Sequence, residues 1–317
     1  MTLVPATPET IDAAAKTLRA GGLVAFPTET VYGLGADGTN GLAVAAVFAA
    51  KGRPTFNPLI IHVAQVEAAS ALAHLTPLGE RLAAAFWPGA LTLVLARRSN
   101  RVIAELATAG LDTIAVRVPA HPVAQALLRA ADMPIAAPSA NRSGHVSPTT
   151  AQHVEADLGD RVAMILDGGS TSVGLESTVV DVTSNRPAIL RLGGIAREDI
   201  ERVLGHPVAL AGDENVTPSS PGMLTRHYAP ATRLRLDALD VRAGEALLAF
   251  GKEPPEHAAA MINLSLAGDL AEAAANLFAA LRTLDAAGAT AIAVMPIPSH
   301  GLGEAINDRL RRAARTE

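Results

Sequence analysis

Short apolar runs and longer helical stretches take turns along this chain, separated by loops rich in proline and glycine. Thr7-Pro8-Glu9 reads as an N-cap, a first-turn proline and a dipole-compatible acid, and predicts a helix that runs to Ala20 and stops at Gly21-Gly22. Leu23 to Phe26 is a short buried strand, and the polar, glycine-rich segment 27–38 after it reads as a loop. A helix over about 42–50 leads to a strand at Leu59–Val63; a helix capped by Thr76-Pro77 breaks at Phe86-Trp87-Pro88-Gly89, before a strand at Leu91–Ala96. Strands follow at Thr113–Val118, at Pro134–Ala137 and over 164–166, with a helix from Pro122 to about Ala130 and another capped by Ser147-Pro148. Thr178–Val182 and Ala188–Leu192 flank the turn 183–187 as an antiparallel hairpin. Strands joined partly by crossovers and partly by a hairpin predict an α/β domain on a mixed, twisted open sheet.

Periodicity vanishes from about Val208 to Thr232. Three prolines within 217–230 forbid a regular element, and a segment this long reads as a linker or lid. It carries Met223, Arg226, His227 and Tyr228, which is not the composition of a plain spacer. Beyond it, strands at Ala246–Phe250, Met261–Leu264 and Ala291–Met295, a long helix over about 269–287 and a terminal helix over about 303–314 predict a small parallel α/β, Rossmann-like domain. The expected division is a first domain over 1–207, a linker or lid over 208–232 and a second domain over 233–317. A chain of 317 residues is long for one core.

Composition narrows the classes. Apolar residues make up 49% and charged residues 18%, as in soluble globular proteins. A formal charge of −5 builds in no general attraction to nucleic acid, so RNA contact would need a local patch. The arginines at 97, 98 and 101, and at 309, 311, 312 and 315, read as solvated faces or helix ends. With no cysteine, disulfides, thiolate nucleophiles and cysteine zinc sites are excluded, in keeping with an expected cytoplasmic address. The first ten residues lack the regions of a signal peptide, and the apolar window Gly41–Ala50 is too short to cross a bilayer.

Candidate chemistry centres on Lys51-Gly52-Arg53-Pro54. Pro54 and Pro58 disfavour helix at Arg53 and Asn57, so the segment is expected to run extended, with Lys51 and Arg53 projecting the same way. A point charge and a planar fork with no carboxylate nearby in sequence suit a polyphosphate, where the plainer alternative is two solvated cations. Thr28 and Thr30, Asn57, and Ser139 with Asn141 add hydroxyls and amides at strand ends. Such a set positions and neutralises, which is what nucleotidyl or phosphoryl transfer requires when the substrate supplies the nucleophile. Other motifs fail. Gly251-Lys252 is followed by Glu253 and not by a P-loop hydroxyl. Gly33-Leu34-Gly35-Ala36-Asp37-Gly38 stands six residues from its strand, with no acid about twenty residues on. No G-x-S-x-G or H-E-x-x-H occurs.

FPTETVYGLG at 26–35, KGRP at 51–54 with NPL and His62 after it, FWPGALT at 86–92, VRVP at 116–119 and PSAN at 138–141 occur in that order, followed by ESTVVD at 176–181, ILRLG at 189–193, and SPGM and RHYAP within 220–230. Together they resemble the threonylcarbamoyl-AMP synthase (YrdC-like) family in its longer, two-domain form. The resemblance covers nearly all of the first domain and the linker; the second domain is assigned by position. It implies that L-threonine, bicarbonate and ATP give threonylcarbamoyl-adenylate and pyrophosphate, the first step toward threonylcarbamoyl-adenosine in tRNA. It implies that Lys51, Arg53, Ser139 and Asn141 hold the ATP phosphates, with Lys51 and Arg53 stabilising the departing pyrophosphate. Asn57, Thr113, Ser147 and Arg191 match further nucleotide contacts, and Tyr228 matches a linker residue that closes over the nucleotide. Thr30, His62, Arg117 and Ser177 match threonine-holding positions, with Ala137 lining that pocket through its backbone. Mg2+ is expected to come with ATP, held largely by the nucleotide and by no protein metal site, and Glu29, Glu176 and Asp181 are expected in supporting roles. Implied partners are the proteins that transfer threonylcarbamoyl to tRNA; direct contact with tRNA is left open, and no membrane is involved. The alternatives are an RNA-binding module of the same pathway without turnover, carbamoyl transfer to another acceptor, and a threonine-binding regulator.

Overall fold

Capping chemistry fixes the ends of several elements in the computed structural model, which describes residues 2–99, 102–211 and 228–315. The helix Pro8–Arg19 opens on Thr7, whose hydroxyl accepts from Thr10 N while the Thr10 side chain returns a bond to the Thr7 backbone. It buries Ile11, Ala14, Ala15 and Leu18. The helix Gly41–Lys51 opens on the Asn40 side chain and ends on Gly52, which takes the left-handed conformation at φ 61°. Lys51 is therefore the last helical residue and not the start of an extended run, which corrects the expectation for 51–57. The glycine turns the chain before Pro54 can forbid helix.

The larger sheet is mixed, and its strands run in the order Thr2–Pro5, Met164–Asp167, Val24–Phe26, Gly33–Asp37, Ile135–Ala136, Ile60–His62, Thr113–Arg117, Leu91–Arg97, Thr178–Asp181, Ala188–Arg191, Ala209–Leu210. Ile60–His62 and Thr113–Arg117 are parallel, while Ile135–Ala136 runs antiparallel to Ile60–His62 on its other side. Alternation along Val24–Phe26 sends Val24 and Phe26 to one face, with Ala14, Leu18 and Leu127, and Ala25 to the other, with Val44, Leu82 and Ile200. The hairpin of Thr178–Asp181 with Ala188–Arg191 forms as expected, with a register shift between Val179 and Val180.

A second sheet follows, ordered Leu234–Arg235, Ile292–Val294, Ala246–Ala249, Met261–Asn263, with every pairing parallel. The helices Leu270–Asp285 and Leu302–Ala314 pack with it. One apolar cluster joins the two units: Val31, Val146, Leu175 and Tyr228 pack with Leu277, Phe278 and Ile306.

Several expectations are corrected. Segment 27–38 is not all loop, because Gly33–Asp37 pairs antiparallel with both Val24–Phe26 and Ile135–Ala136. Glycine is required in this strand: a Cβ on Gly35 would lie 2.9 Å from Cε1 of Phe26. Ser147-Pro148 does not cap the next helix. Ala151–Leu158 opens on Thr150, which accepts from His153 N, and Ser147 Oγ turns to Glu176. The strand Thr2–Pro5 and the helices Val66–Leu72 and Arg197–Leu204 had no counterpart in the sequence reading. Most of the expected lid, including Met223, Arg226 and His227, lies outside the described residues, as does Arg101. Among the described residues, no helix is long and apolar enough to cross a membrane.

Candidate active site

Parallel pairing sets His62 beside Arg117 at the carboxyl ends of two neighbouring strands, where open α/β sheets gather ligands. Both side chains line one cavity. Arg117 is tied down on three sides: Nε donates to Gly89 O at 3.2 Å, Nη1 to Thr30 Oγ1 at 2.9 Å and Nη2 to Glu29 Oε1 at 2.6 Å. Burial alone would raise the Glu29 carboxyl, but the charge and hydrogen bonds of Arg117, helped by backbone N–H groups, hold it below the ordinary range. Thr30 is itself placed by a turn in which Thr28 Oγ1 accepts from Thr30 N and Val31 N, both at 3.2 Å. His62 is pushed down to about 3 by burial first and then by the charge of Arg117, so its imidazole is neutral near pH 7.

Ser177 borders the cavity from the residue before Thr178–Asp181. Its hydroxyl exchanges a hydrogen bond with Thr92 Oγ1 at 2.7 Å and accepts from Arg191 Nη2 at 3.1 Å. Arg191, at the end of its strand, also donates to Ser177 O from Nε and Nη2. With Ala137, which lines the cavity through the loop after Ile135–Ala136, all five residues expected to hold threonine are brought together.

Arg53, Ser139, Arg191 and Tyr228 line the same cavity. Arg53 is braced by Asn57 O and Pro58 O, and burial, with the charge of Arg191, lowers it to about 10. Lys51 and Asn141 stand just behind this wall. Lys51 Nζ donates to Ser139 O at 2.5 Å and Asn141 O at 2.6 Å, and Ser139 Oγ donates to Asn141 Oδ1 at 2.6 Å. Burial, then the charge of Arg53, pulls the Lys51 ammonium well below the ordinary lysine value. Lys51 and Arg53 thus do not project side by side: one pins the Ser139 loop and the other faces the cavity.

Besides Lys51 and Asn141, three more expected nucleotide contacts do not line the cavity. Thr113 sits at the start of its strand, four residues before Arg117. Ser147 is one step removed, donating to Glu176 Oε1 at 2.5 Å. Asn57 is fully buried, and among the described residues its Oδ1 and Nδ2 have no hydrogen-bond partner. A buried amide without partners is costly unless a ligand completes it.

Sequence reasoning missed Thr92 and misread Arg309. Thr92 lies inside the FWPGALT stretch, and only the pairing of Leu91–Arg97 with Thr178–Asp181 brings it to Ser177. Arg309 is no solvated helix end: it is fully buried and paired with Glu176, which lines the cavity. The local signal is its helical spacing, three residues after Ile306 and four before Ala313, which sets it on the buried face away from the exposed Arg311 and Arg315.

The chain is similar to known proteins over nearly its whole length. Residues 16–193 match the family model described as telomere recombination, that of the Sua5, YciO and YrdC proteins. Residues 195–315 match the model described as threonylcarbamoyl-AMP synthase, C-terminal domain. The threonylcarbamoyl-AMP synthase of Pyrococcus abyssi is 45% identical over 95% of this chain and 93% of its own length. The Bacillus subtilis protein of the same name is 42% identical over 95% of this chain and 92% of its own length. The crystal structure of P. abyssi Sua5 complexed with L-threonine superposes with a TM-score of 0.91 at 40% identity, covering 99% of this chain and 98% of that one.

Proposed function

This chain belongs to the threonylcarbamoyl-AMP synthase family, and from that premise we propose that it is a nucleotidyltransferase that joins L-threonine, bicarbonate and ATP into threonylcarbamoyl-AMP and pyrophosphate. The product feeds threonylcarbamoyl-adenosine formation in tRNA through downstream transfer proteins in the cytoplasm. The observation that carries this reading is one cavity lined by two sets of groups, Thr30, His62, Arg117 and Ser177 in one and Arg53, Ser139, Arg191 and Tyr228 in the other. Residues 1–207 form the catalytic domain in this reading, 208–232 the linker and 233–317 the second domain.

Arg117 takes the threonine carboxylate through its fork, a charge-assisted pairing that neutral His62 does not oppose. Thr30 and Ser177 offer hydroxyls to the amino acid, and Ala137 borders it. Arg53, Arg191 and Ser139 meet the phosphates, Lys51 and Asn141 hold the Ser139 loop in register, and Tyr228 covers the nucleotide. Asn57 is a further nucleotide contact, with the unpartnered amide that such a contact would satisfy, while Thr113 and Ser147 stand outside the cavity wall and Ser147 acts through Glu176. The threonine nitrogen bonds to the bicarbonate-derived carbon with loss of water, giving an N-carboxylate. An oxygen of that carboxylate attacks the α-phosphorus in line, the bond to the β-phosphate oxygen breaks, and the electron pair leaves with pyrophosphate. Arg53 and Lys51 offset the charge that builds on the leaving group.

Among the described residues, no group of three histidines or carboxylates could hold a metal ion. Glu176, which lines the cavity, and Glu29, which supports Arg117 there, are each engaged by an arginine. Mg2+ therefore fits this chain as a companion of the ATP phosphates, where it supplies charge neutralisation.

The test is pyrophosphate release by the purified protein. Release that needs both threonine and bicarbonate supports the synthase. Release without threonine, or with another carbamoyl acceptor in its place, points to the carbamoyl-transfer alternative. No release, together with salt-dependent binding to tRNA, points to an RNA-binding module, against which the formal charge of −5 already argues.

A further inference from the structure

Arg309 comes from the helix Leu302–Ala314 of the second unit, yet among the described residues its polar contacts outside that helix are to residues in or beside the first unit's cavity. Its Nε meets Glu176 Oε2 at 2.9 Å, its Nη2 donates to Leu192 O at 2.7 Å, and its Cζ stands 4.8 Å from the centre of the Tyr228 ring. Within its own helix, Nη1 meets Asp308 Oδ2 at 2.6 Å. Glu176 and Tyr228 line the cavity, and Leu192 follows Arg191, which also lines it. The Tyr228 ring also stacks on Phe278, ring centroids 5.7 Å apart at 21°.

A fully buried guanidinium is costly to desolvate and offers little net stability over a well-packed apolar side chain. Its value lies in what it does to its partners. Glu176 is a carboxylate in a cavity that otherwise presents Arg53, Arg117 and Arg191. Unpaired, it would repel a triphosphate; paired with Arg309, it becomes a neutral unit that can hold Ser147 Oγ at 2.5 Å. We propose that Arg309 is a positioning residue for the nucleotide: it cancels the charge of Glu176 and sets Tyr228, making the second unit part of the ATP site. This rests on the cavity being that site.

Among the described residues, the charged and titratable groups around Glu176 and its partners are Arg309, Asp308 and Arg312 on the terminal helix, with Arg312 paired to Asp308, Arg191 on the hairpin, and Tyr228. Burial pushes Glu176 up, but Arg309 and then Arg191, with hydrogen bonds from Ser147 and Arg309, bring it down to about 2. Without Arg309 its main source of depression is gone, so lowering the pH should protonate it.

The test measures the Kd of an unhydrolysable ATP analogue by calorimetry in the full chain, beside KM and kcat. Arg309→Met is expected to weaken analogue binding by about tenfold or more at pH 8. The loss should shrink toward pH 6 relative to the parent, and the Arg309→Met/Glu176→Gln double variant should recover to within about threefold. A purely structural role would give neither the pH-dependent recovery nor the rescue. Should Arg309→Met fail to fold, Arg309→Gln keeps a donor for Glu176 without the charge and carries the same expectation. A folded variant that binds like the parent, or a double variant no better than the single, overturns the proposal. Because binding is read without turnover, its failure is separate from failure of the synthase reading, which the parent's pyrophosphate release decides.

Discussion

Replacing Glu29 with glutamine should damage both stability and threonine use, by amounts the geometry bounds. The pair is well buried, with side chains 4% and 11% exposed for Arg117 and Glu29 and 2.6 Å between Nη2 and Oε1. Two unit charges about 4 Å apart interact by roughly 4 kcal/mol at an effective dielectric of about 20, and stripping one partner from a buried pair typically costs about 3–5 kcal/mol. Glutamine keeps a carbonyl for Arg117, but its amide nitrogen would face the N–H groups of Ala120 and His121, which Glu29 Oε2 now accepts at 3.0 and 3.3 Å. The expected loss is therefore about 3 kcal/mol or more. The single tryptophan, Trp87, is buried in the first unit and donates to Leu91 O at 2.8 Å, so its fluorescence in urea follows that unit alone. The pH sign follows from the lowered Glu29 value. The folded state gains from Glu29 above about 4.5, the ordinary glutamate value, and loses that gain as pH falls below it, so the variant's stability curve should be flatter there. With Arg117 held by a neutral carbonyl in place of the carboxylate, KM for threonine should rise by about tenfold or more while KM for ATP moves much less. A urea curve within about 0.5 kcal/mol of the parent's would sink the electrostatic argument. An equal rise in both KM values would sink the assignment of Arg117 to the amino acid.

Lys51→Met removes two charge-assisted bonds to the Ser139 loop and should lower kcat/KM for ATP by about a hundredfold, read from initial rates of pyrophosphate release; a loss under threefold refutes it. The His62 ring, held at about 3, should show flat imidazole proton shifts in NMR from about pH 5 to 8. Since only the unfolded chain takes up that proton, His62 should also erode stability as pH falls below the ordinary value of 6.5. Gly193→Ala would place a Cβ 2.3 Å from Glu176 O and 2.5 Å from the Ser177 carbonyl carbon, so a destabilisation of about 1–3 kcal/mol with raised KM for both substrates is expected in urea and kinetic assays. Tyr228→Ala removes the stack on Phe278 and should raise KM for ATP or the release of free hydrolysed adenylate, measured by chromatography; unchanged kinetics would make Tyr228 a packing residue only.

Much of the fold was legible because local chemistry and tertiary packing agree. Thr7-Pro8 and Thr76-Pro77 mark their helices because the hydroxyls cap at once, and the turn 183–187 closes a hairpin because its flanks are apolar on both strands. Ser147-Pro148 misleads because the Ser147 hydroxyl has a distant partner in Glu176, which competes with the local cap. Gly33–Asp37 hides because glycine carries no strand preference of its own, and its pairing is decided by room for the Phe26 ring. In the site, Thr30, Arg53, His62, Arg117, Ala137, Ser139, Ser177, Arg191 and Tyr228 all reach one cavity, since each stands in or next to a motif at a strand end or at the linker's close. Arg309 shares the helix face of Ile306 and Ala313, but its partner could not be read, because Glu176 lies 133 positions away and an arginine in a basic run looks solvated.

Gly174 decides how the two halves of the molecule meet. A Cβ there would stand 2.4 Å from Ala274 O and 2.5 Å from Ala275 Cα, main-chain atoms of the helix Leu270–Asp285, and its φ of 71° already disfavours any other residue. Side chains can repack around a shifted neighbour, but touching main chains have no slack to give. The joint therefore behaves as a fixed hub with a single seating, and any change that lifts the helix away from Gly174 must carry Phe278, and the tyrosine stacked on it, along in the same movement.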